Sequence, residues 1–206
     1  MADRAELFRI FLRHGAEVGD GLEPALAFLE AYPSTVPEGS APTASFGEED
    51  LRRANRGGAR ISAAEIAEVL RRRTKIERRL REIEPDASLA ARSVPWAALT
   101  ALFEPFAAIR GIGLAKLTKT LHPKRPALVP MLDSVVQAYL AEDDPGSASP
   151  FEDRATALVR GYKRDLDHNR APLRQLRREL AARGYRLTEV RILDILVWSA
   201  FADPSG

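Results

Sequence analysis

The sequence predicts an all-α fold, and three observations carry that reading. Apolar residues recur at three- and four-residue spacing through almost every segment of the 206 residues. Nothing alternates apolar and polar with period two for long enough to demand a sheet. Residues able to cap helices, Ser62, Asp133 and Thr188, stand where periodic segments begin.

The elements follow in order. Leu7, Ile10 and Phe11 predict a helix over 5–13 that stops at His14-Gly15, and a second helix over 23–31 ends before Tyr32-Pro33. Residues 33–45 collect Pro, Ser, Thr and Gly and read as a loop or lobe boundary. A third helix covers 47–56 and is interrupted by Gly57-Gly58. Ser62 and Glu65 form a capping box ahead of one long helix whose stripe is Ile66, Val69, Leu70, Ile76 and Leu80. After a connector over 85–95, helices are predicted over 96–104, 106–109, 114–121 and from Asp133 to Leu140. Pro105 fits the first turn of the second of these. The last third reads as helices over 151–168, 173–183 and 188–201, with Gly184 as a terminator and Thr188 as a cap. We divide the chain as one globular unit: acidic N-terminal helices over 1–45, a helical lobe over 46–150, and C-terminal helices over 151–206.

With 45% hydrophobic and 29% charged residues, the chain has enough apolar side chains to bury a substantial core. The absence of Cys removes disulfides and thiolate metal sites and suits a reducing cytoplasm. His14, His122 and His168 lack ligand spacing, so no metal and no cofactor are expected. No apolar run approaches the length of a membrane span, and Met1-Ala2-Asp3-Arg4 does not open like a secretory leader. The net charge is +2, yet unevenly spread. Residues 1–50 hold ten acidic side chains against three arginines, 52–81 hold eleven basic against three acidic, and 154–191 eleven basic against four. Such zones favour nucleic acid as a partner. The bland reading of Arg71-Arg72-Arg73 and Arg78-Arg79 is a solvated helix face paired with Glu68, Glu77 and Glu82.

The most telling stretch is Ile109-Arg110-Gly111-Ile112-Gly113-Leu114-Ala115-Lys116, followed by Val129-Pro130-Met131-Leu132-Asp133-Ser134. A Gly-x-Gly turn between two helices allows close backbone approach and aims the free N–H groups of the second helix outward, where they attract phosphate. Residues 109–125 carry Arg110, Lys116, Lys119, Lys124 and Arg125 and no acidic side chain. We therefore assign Arg110, Gly111, Gly113, Ala115, Lys116, Lys119, Lys124 and Arg125 to phosphate contact, against the alternative that the glycines serve only a tight helix connection.

This hairpin and its sequel resemble the helix-hairpin-helix superfamily of base-excision DNA glycosylases, and the phrase from Pro130 to Val136 is most similar to the adenine-excising, MutY-like members. The resemblance spans about residues 105–140, with the hairpin itself over 105–121. It implies a two-lobed helical fold, double-stranded DNA as the partner, and Asp133, 22 positions after Gly111, in the catalytic aspartate position that stabilises the sugar cation. Ala115 stands where lyase members keep a nucleophilic lysine, so a monofunctional N-glycosylase is implied, with Lys116 pointing elsewhere on the helix. Arg110 replaces the usual hairpin proline, Leu117 replaces a small packing residue, and the iron–sulfur cluster of many members has no cysteines to hold it. A second resemblance, through the Pro-x-Leu-Asp-Ser phrase and the ending Ile192 to Trp198, is to an uncharacterised family of high-GC bacteria, and it implies likeness of fold more than of activity. The open alternatives are a non-catalytic DNA-binding or damage-sensing module and a helical protein-interaction protein.

Other residues carry competing readings. Asp133 serves equally as the cap of the helix starting at Ser134. His122 terminates its helix or touches phosphate. Tyr139 and Tyr162 sit at apolar helix positions and read as packing before base stacking, as does Trp198. Asp194 reads as a surface ion pair or cap contact on an amphipathic helix. Asp165, Asp167 and Asn169 resemble a carboxylate cluster without the Gly and Glu of a calcium loop.

Overall fold

Where the sequence supplies caps, the helices start on them. The computed structural model describes residues 8–32 and 44–202. Among these, ten α-helices carry the fold: α1 (Leu22–Ala31), α2 (Glu48–Arg56), α3 (Ala63–Arg71), α4 (Arg73–Arg81), α5 (Trp96–Ala107), α6 (Leu114–Leu121), α7 (Ser134–Tyr139), α8 (Phe151–His168), α9 (Arg170–Ala182) and α10 (Glu189–Phe201). Ser62 and Glu65 close the capping box of α3. The side chains of Asp133 and Thr188 accept the Val136 and Arg191 amides to start α7 and α10.

The N-terminal segment departs from expectation. In place of a helix over 5–13, two short strands, β1 (Ile10–Phe11) and β2 (Glu17–Val18), pair antiparallel with Ile10 opposite Val18. Residues 5–7 lie outside the described residues, as do 33–43 of the predicted loop. The cause lies in the pattern: Phe8, Ile10 and Leu12 are buried with period two while Phe11 is exposed. Asn169, fully buried at the α8–α9 joint, replaces a missing third strand. Its Oδ1 accepts the Phe11 amide and its Nδ2 donates to the Phe11 carbonyl, both at 2.8 Å. Arg13 then ties the ribbon to α8, donating to Asp165 Oδ2 at 2.7 Å and the Gly161 carbonyl at 2.9 Å while pairing with Asp143 at 2.5 Å.

Two further boundaries and the character of the last helix differ. The single long helix predicted after Ser62 breaks at Arg72, where φ is −97° and ψ 5°, giving α3 and α4 with Val69, Ile76 and Leu80 still buried in line. Pro105 lies inside α5 instead of starting a separate helix, two residues before its end. The terminal helix α10 is buried all along 189–197 and is not amphipathic. Ile192, Leu193, Ile195 and Leu196 are fully enclosed there, each side chain contributing about 1.5–3 kcal/mol.

Packing falls into two groups joined by one continuous apolar core. In the first, α10 lies against α1, α7 and α9, so the segment before residue 32 folds onto the C-terminal helices. In the second, α2 packs on α6 and on α3, and α4 on α5. The α5–α8 pair joins the two. No helix among the described residues is long and apolar enough to cross a membrane.

Candidate functional site

The hairpin forms as its glycines dictate. Gly111 takes φ +88°, a conformation costly for any residue with a Cβ, and Gly113 is the extended N-cap of α6. No side chain caps α6, so its first-turn amides lack intrahelical partners. Arg110, Gly111 and Gly113 are exposed, and Ala115 is half-buried.

An acidic residue from outside the stretch meets this turn. Glu65 of α3 reaches over Gly111, where a Cβ would lie 2.1 Å from its Oε1. The carboxylate accepts Lys116 Nζ at 2.7 and 2.8 Å and the Ser62 amide at 2.7 Å. Burial opposes its charge, but the Lys116 ammonium and the Ser62 amide hold the carboxyl below its usual range. The hairpin is thus less cationic than its own residues suggest.

The assigned cations divide. Arg110 is exposed and makes no ion pair among the described residues. Lys119 donates to the Gly57 carbonyl at 3.0 Å, at the end of α2. Two assignments are corrected by burial: Lys124 (8% exposed) pairs with Asp50 at 2.7 Å, and Arg125 (2% exposed) donates to the carbonyls of Lys124, Leu80 and Ile83. Arg125 faces inward because the turn after α6 brings it to the end of α4, whose last carbonyls need donors, and Lys124 because Asp50 in the first turn of α2 takes its charge. His122 is likewise buried, its Nδ1 2.6 Å from the Val129 carbonyl, and so does not reach a surface phosphate.

Asp133 is half-exposed at the head of α7, its Oδ1 accepting the Val136 amide at 3.0 Å. The backbone leading to it is pinned from several sides. Thr118 Oγ1 accepts the Leu132 amide at 2.9 Å, Gln137 donates to the Leu132 carbonyl at 2.8 Å, and Asp194 Oδ2 accepts the Met131 amide at 3.2 Å. Because Ala115 and Thr118 lie three residues apart, they share the face of α6 turned toward the Asp133 segment, whereas Lys116 turns to Glu65.

Asp194 was missed as a surface residue. It is 3% exposed, with Oδ1 unpartnered, and burial pushes its carboxyl up to about 6 against the nearby His122 and Arg191. The signal was available: Ile-Leu-Asp-Ile-Leu-Val sets the carboxylate in an unbroken apolar run. Tyr139 and Tyr162 are buried, the latter donating to the Val190 carbonyl at 2.6 Å, and Trp198 packs edge-on against Phe28 and Tyr32. The Asp165, Asp167 and Asn169 cluster is dispersed: Asp165 binds Arg13, Asp167 binds Lys163 and Arg170, and Asn169 binds Phe11. Among the described residues no group of three or more His, Cys, Asp or Glu is placed to hold a metal ion.

Beside the hairpin, Arg52, Asn55, Arg56 and Ile66 line a shallow depression of about 390 Å³. Next in the chain to two of these residues, Gly57 accepts Lys119 and Glu65 meets Gly111. Asn55 shapes its rim, bonding the Ile61 carbonyl and amide at 2.8 and 2.6 Å. Around α3 and α4 most of these arginines are paired locally, as in the bland reading: Arg71 and Arg72 with Glu68, Arg73 with Glu77, Arg79 with Glu82, while Arg78 makes no ion pair among the described residues.

The molecule is a mostly helical protein organised around an exposed glycine hairpin and an Asp-headed helix. Residues 30–201 match the family of unknown function DUF6308, and the chain belongs to that family. No curated protein and no solved structure matches the chain.

Proposed function

We propose that the chain is a DNA-binding protein of the helix-hairpin-helix kind, whose hairpin seats a backbone phosphate and whose Asp133 faces the bound strand. The observation that carries this reading is the pairing of two features on one helix. The exposed, uncapped start of α6 offers amides at Gly113–Lys116, and the Ala115–Thr118 face of the same helix anchors the segment leading to Asp133. The glycosylase resemblance adds an activity: hydrolysis of a glycosidic bond, with Asp133 stabilising the sugar cation and no lysine imine, since Ala115 has no amine. The two packing groups joined by α5 and α8 are in keeping with a two-lobed arrangement.

The test has two arms. Replacing Arg110 and Lys119 by Glu is expected to weaken duplex binding about equally for all sequences. Asp133→Asn keeps an oxygen for the α7 cap but removes the charge, so the melting temperature should hold while release of a base from a panel of deaminated, alkylated and oxidised duplexes falls by orders of magnitude. Binding to abasic-site analogues without release of any base selects the non-catalytic module. The Glu65 contact over Gly111 favours a second reading, in which the hairpin only locks α3 in place, and a well-folded protein that ignores DNA would establish it.

A further inference from the structure

We propose that Glu65 is a built-in competitor for the anion that the hairpin takes, and that a DNA phosphate enters by displacing it from Lys116. The inference rests on the hairpin being a phosphate seat. Its observations are separate from that reading. Glu65 comes from another helix, yet its carboxylate lies over the turn at a distance only glycine allows, a Cβ on Gly111 falling 2.1 Å from Oε1 and 3.1 Å from Cδ. Both oxygens engage Lys116, at 2.7 and 2.8 Å, in a pair whose side chains are 13% and 22% exposed. An anion therefore already sits against the hairpin, and it is the protein's own.

The contact is incomplete in a way that leaves room for a second anion. The carboxylate satisfies Lys116 and the Ser62 amide but takes none of the first-turn amides of α6. Its bond to Ser62 belongs to the α3 capping box and survives if Lys116 swings away, so displacement costs one ion pair and not the helix start. Lys116 carries its ammonium on a flexible stem and exchanges a carboxylate for a phosphate without moving the backbone. The cost of that exchange raises the number of other contacts a duplex must supply before it is held. Glu65 thereby tunes the hairpin against weak, single-phosphate ligands.

The experiment measures binding of a labelled duplex by fluorescence anisotropy between about 50 and 200 mM salt. Wild type is compared with Glu65→Gln, Lys116→Gln and the double variant, each checked for a cooperative melt. Glutamine keeps an acceptor for the Ser62 amide and removes only the charge. Glu65→Gln is expected to bind roughly two- to fivefold more tightly at low salt, with the log–log salt slope unchanged because Lys116 contacts phosphate in both complexes. The double variant should erase the gain, since it depends on the freed Lys116. Should Glu65→Gln melt early, Glu65→Ala removes the charge by another route and must shift affinity in the same direction. A wild type that binds duplex in a salt-dependent way, with Glu65 variants no tighter, overturns the competitor role alone. Absence of duplex binding by all four proteins overturns the phosphate seat, and the competitor falls with it.

Discussion

Arg125 shows how a single side chain changes meaning between sequence and structure. In sequence it closes a run of cations; in the fold its guanidinium lies 2% exposed and donates to three buried carbonyls. Replacing it with Met is expected to cost about 3 kcal/mol, because bonds from a charged donor are lost and the carbonyls are left unpaired, lowering the melting temperature by about 6–12 °C for a chain of this size. A residue that served only to bind phosphate would leave the melt unchanged and weaken DNA binding instead. Asp194 gives a second residue-scale expectation. Its carboxyl is raised from 3.8 to about 6 in the fold, so between those pH values the folded chain binds more protons than the unfolded chain. Stability should therefore fall as pH rises from about 4 to about 6 and then level, by about 3 kcal/mol in all. Asp194→Asn should remove that slope from the stability curve measured by urea unfolding. A slope unchanged in the variant would contradict the buried assignment. The role of Arg125 was not legible from the residues alone, because burial of a charged side chain depends on which distant carbonyls the fold delivers to it, whereas Asp194 was marked by the apolar run around it.

Elements were more legible than residues wherever a cap or a stop was written into the chain. The helix from Leu114 to Leu121, the Ser62 capping box and the span of α8 follow from local chemistry that the fold keeps. The N-terminal ribbon was hidden because its hydrogen-bond partner is a side chain far along the sequence, Asn169, which no local pattern announces. The break at Arg72 was hidden for a similar reason, since the apolar stripe runs through it without a fault. The site divides the same way: hairpin glycines and the Asp133 cap were readable, while Glu65, arriving from α3, was not. Gly161 supplies the test at this scale. A Cβ there would lie 1.9 Å from Asp143 Oδ2 and 3.0 Å from Asp143 Cβ, and Asp143 is held by Arg13 and Arg164. Gly161→Ala should therefore destabilise by about 1–3 kcal/mol despite the better helix propensity of alanine, worth about 1 kcal/mol. Gly19→Ala, with nothing near its Cβ, is the control, and equal chemical-denaturation curves for the two variants would show that α8 does not need this close approach.

Across the whole molecule, a mostly helical architecture carries a charge distribution that the net value of +2 conceals. Much of the apparent basic excess is spent internally: Lys124 on Asp50, Arg13 on Asp165 and Asp143, Lys116 on Glu65, and the α3–α4 arginines on their helical neighbours. Around the hairpin, Arg110 and Lys119 pair with no carboxylate among the described residues, and Arg52 and Arg56 carry only exposed, solvent-screened pairs with Glu48 and Glu49. A phosphate-binding face must be drawn from these few groups together with the α6 amides. The decisive measurement is the affinity of the wild-type protein for a duplex as a function of salt. The affinity is expected to decline linearly on a log–log plot with a slope of about −2 to −4, the signature of a few phosphates neutralised, flattened when Arg110 and Lys119 are replaced by Glu. A folded protein whose duplex affinity is absent, or insensitive to salt, would contradict this expectation.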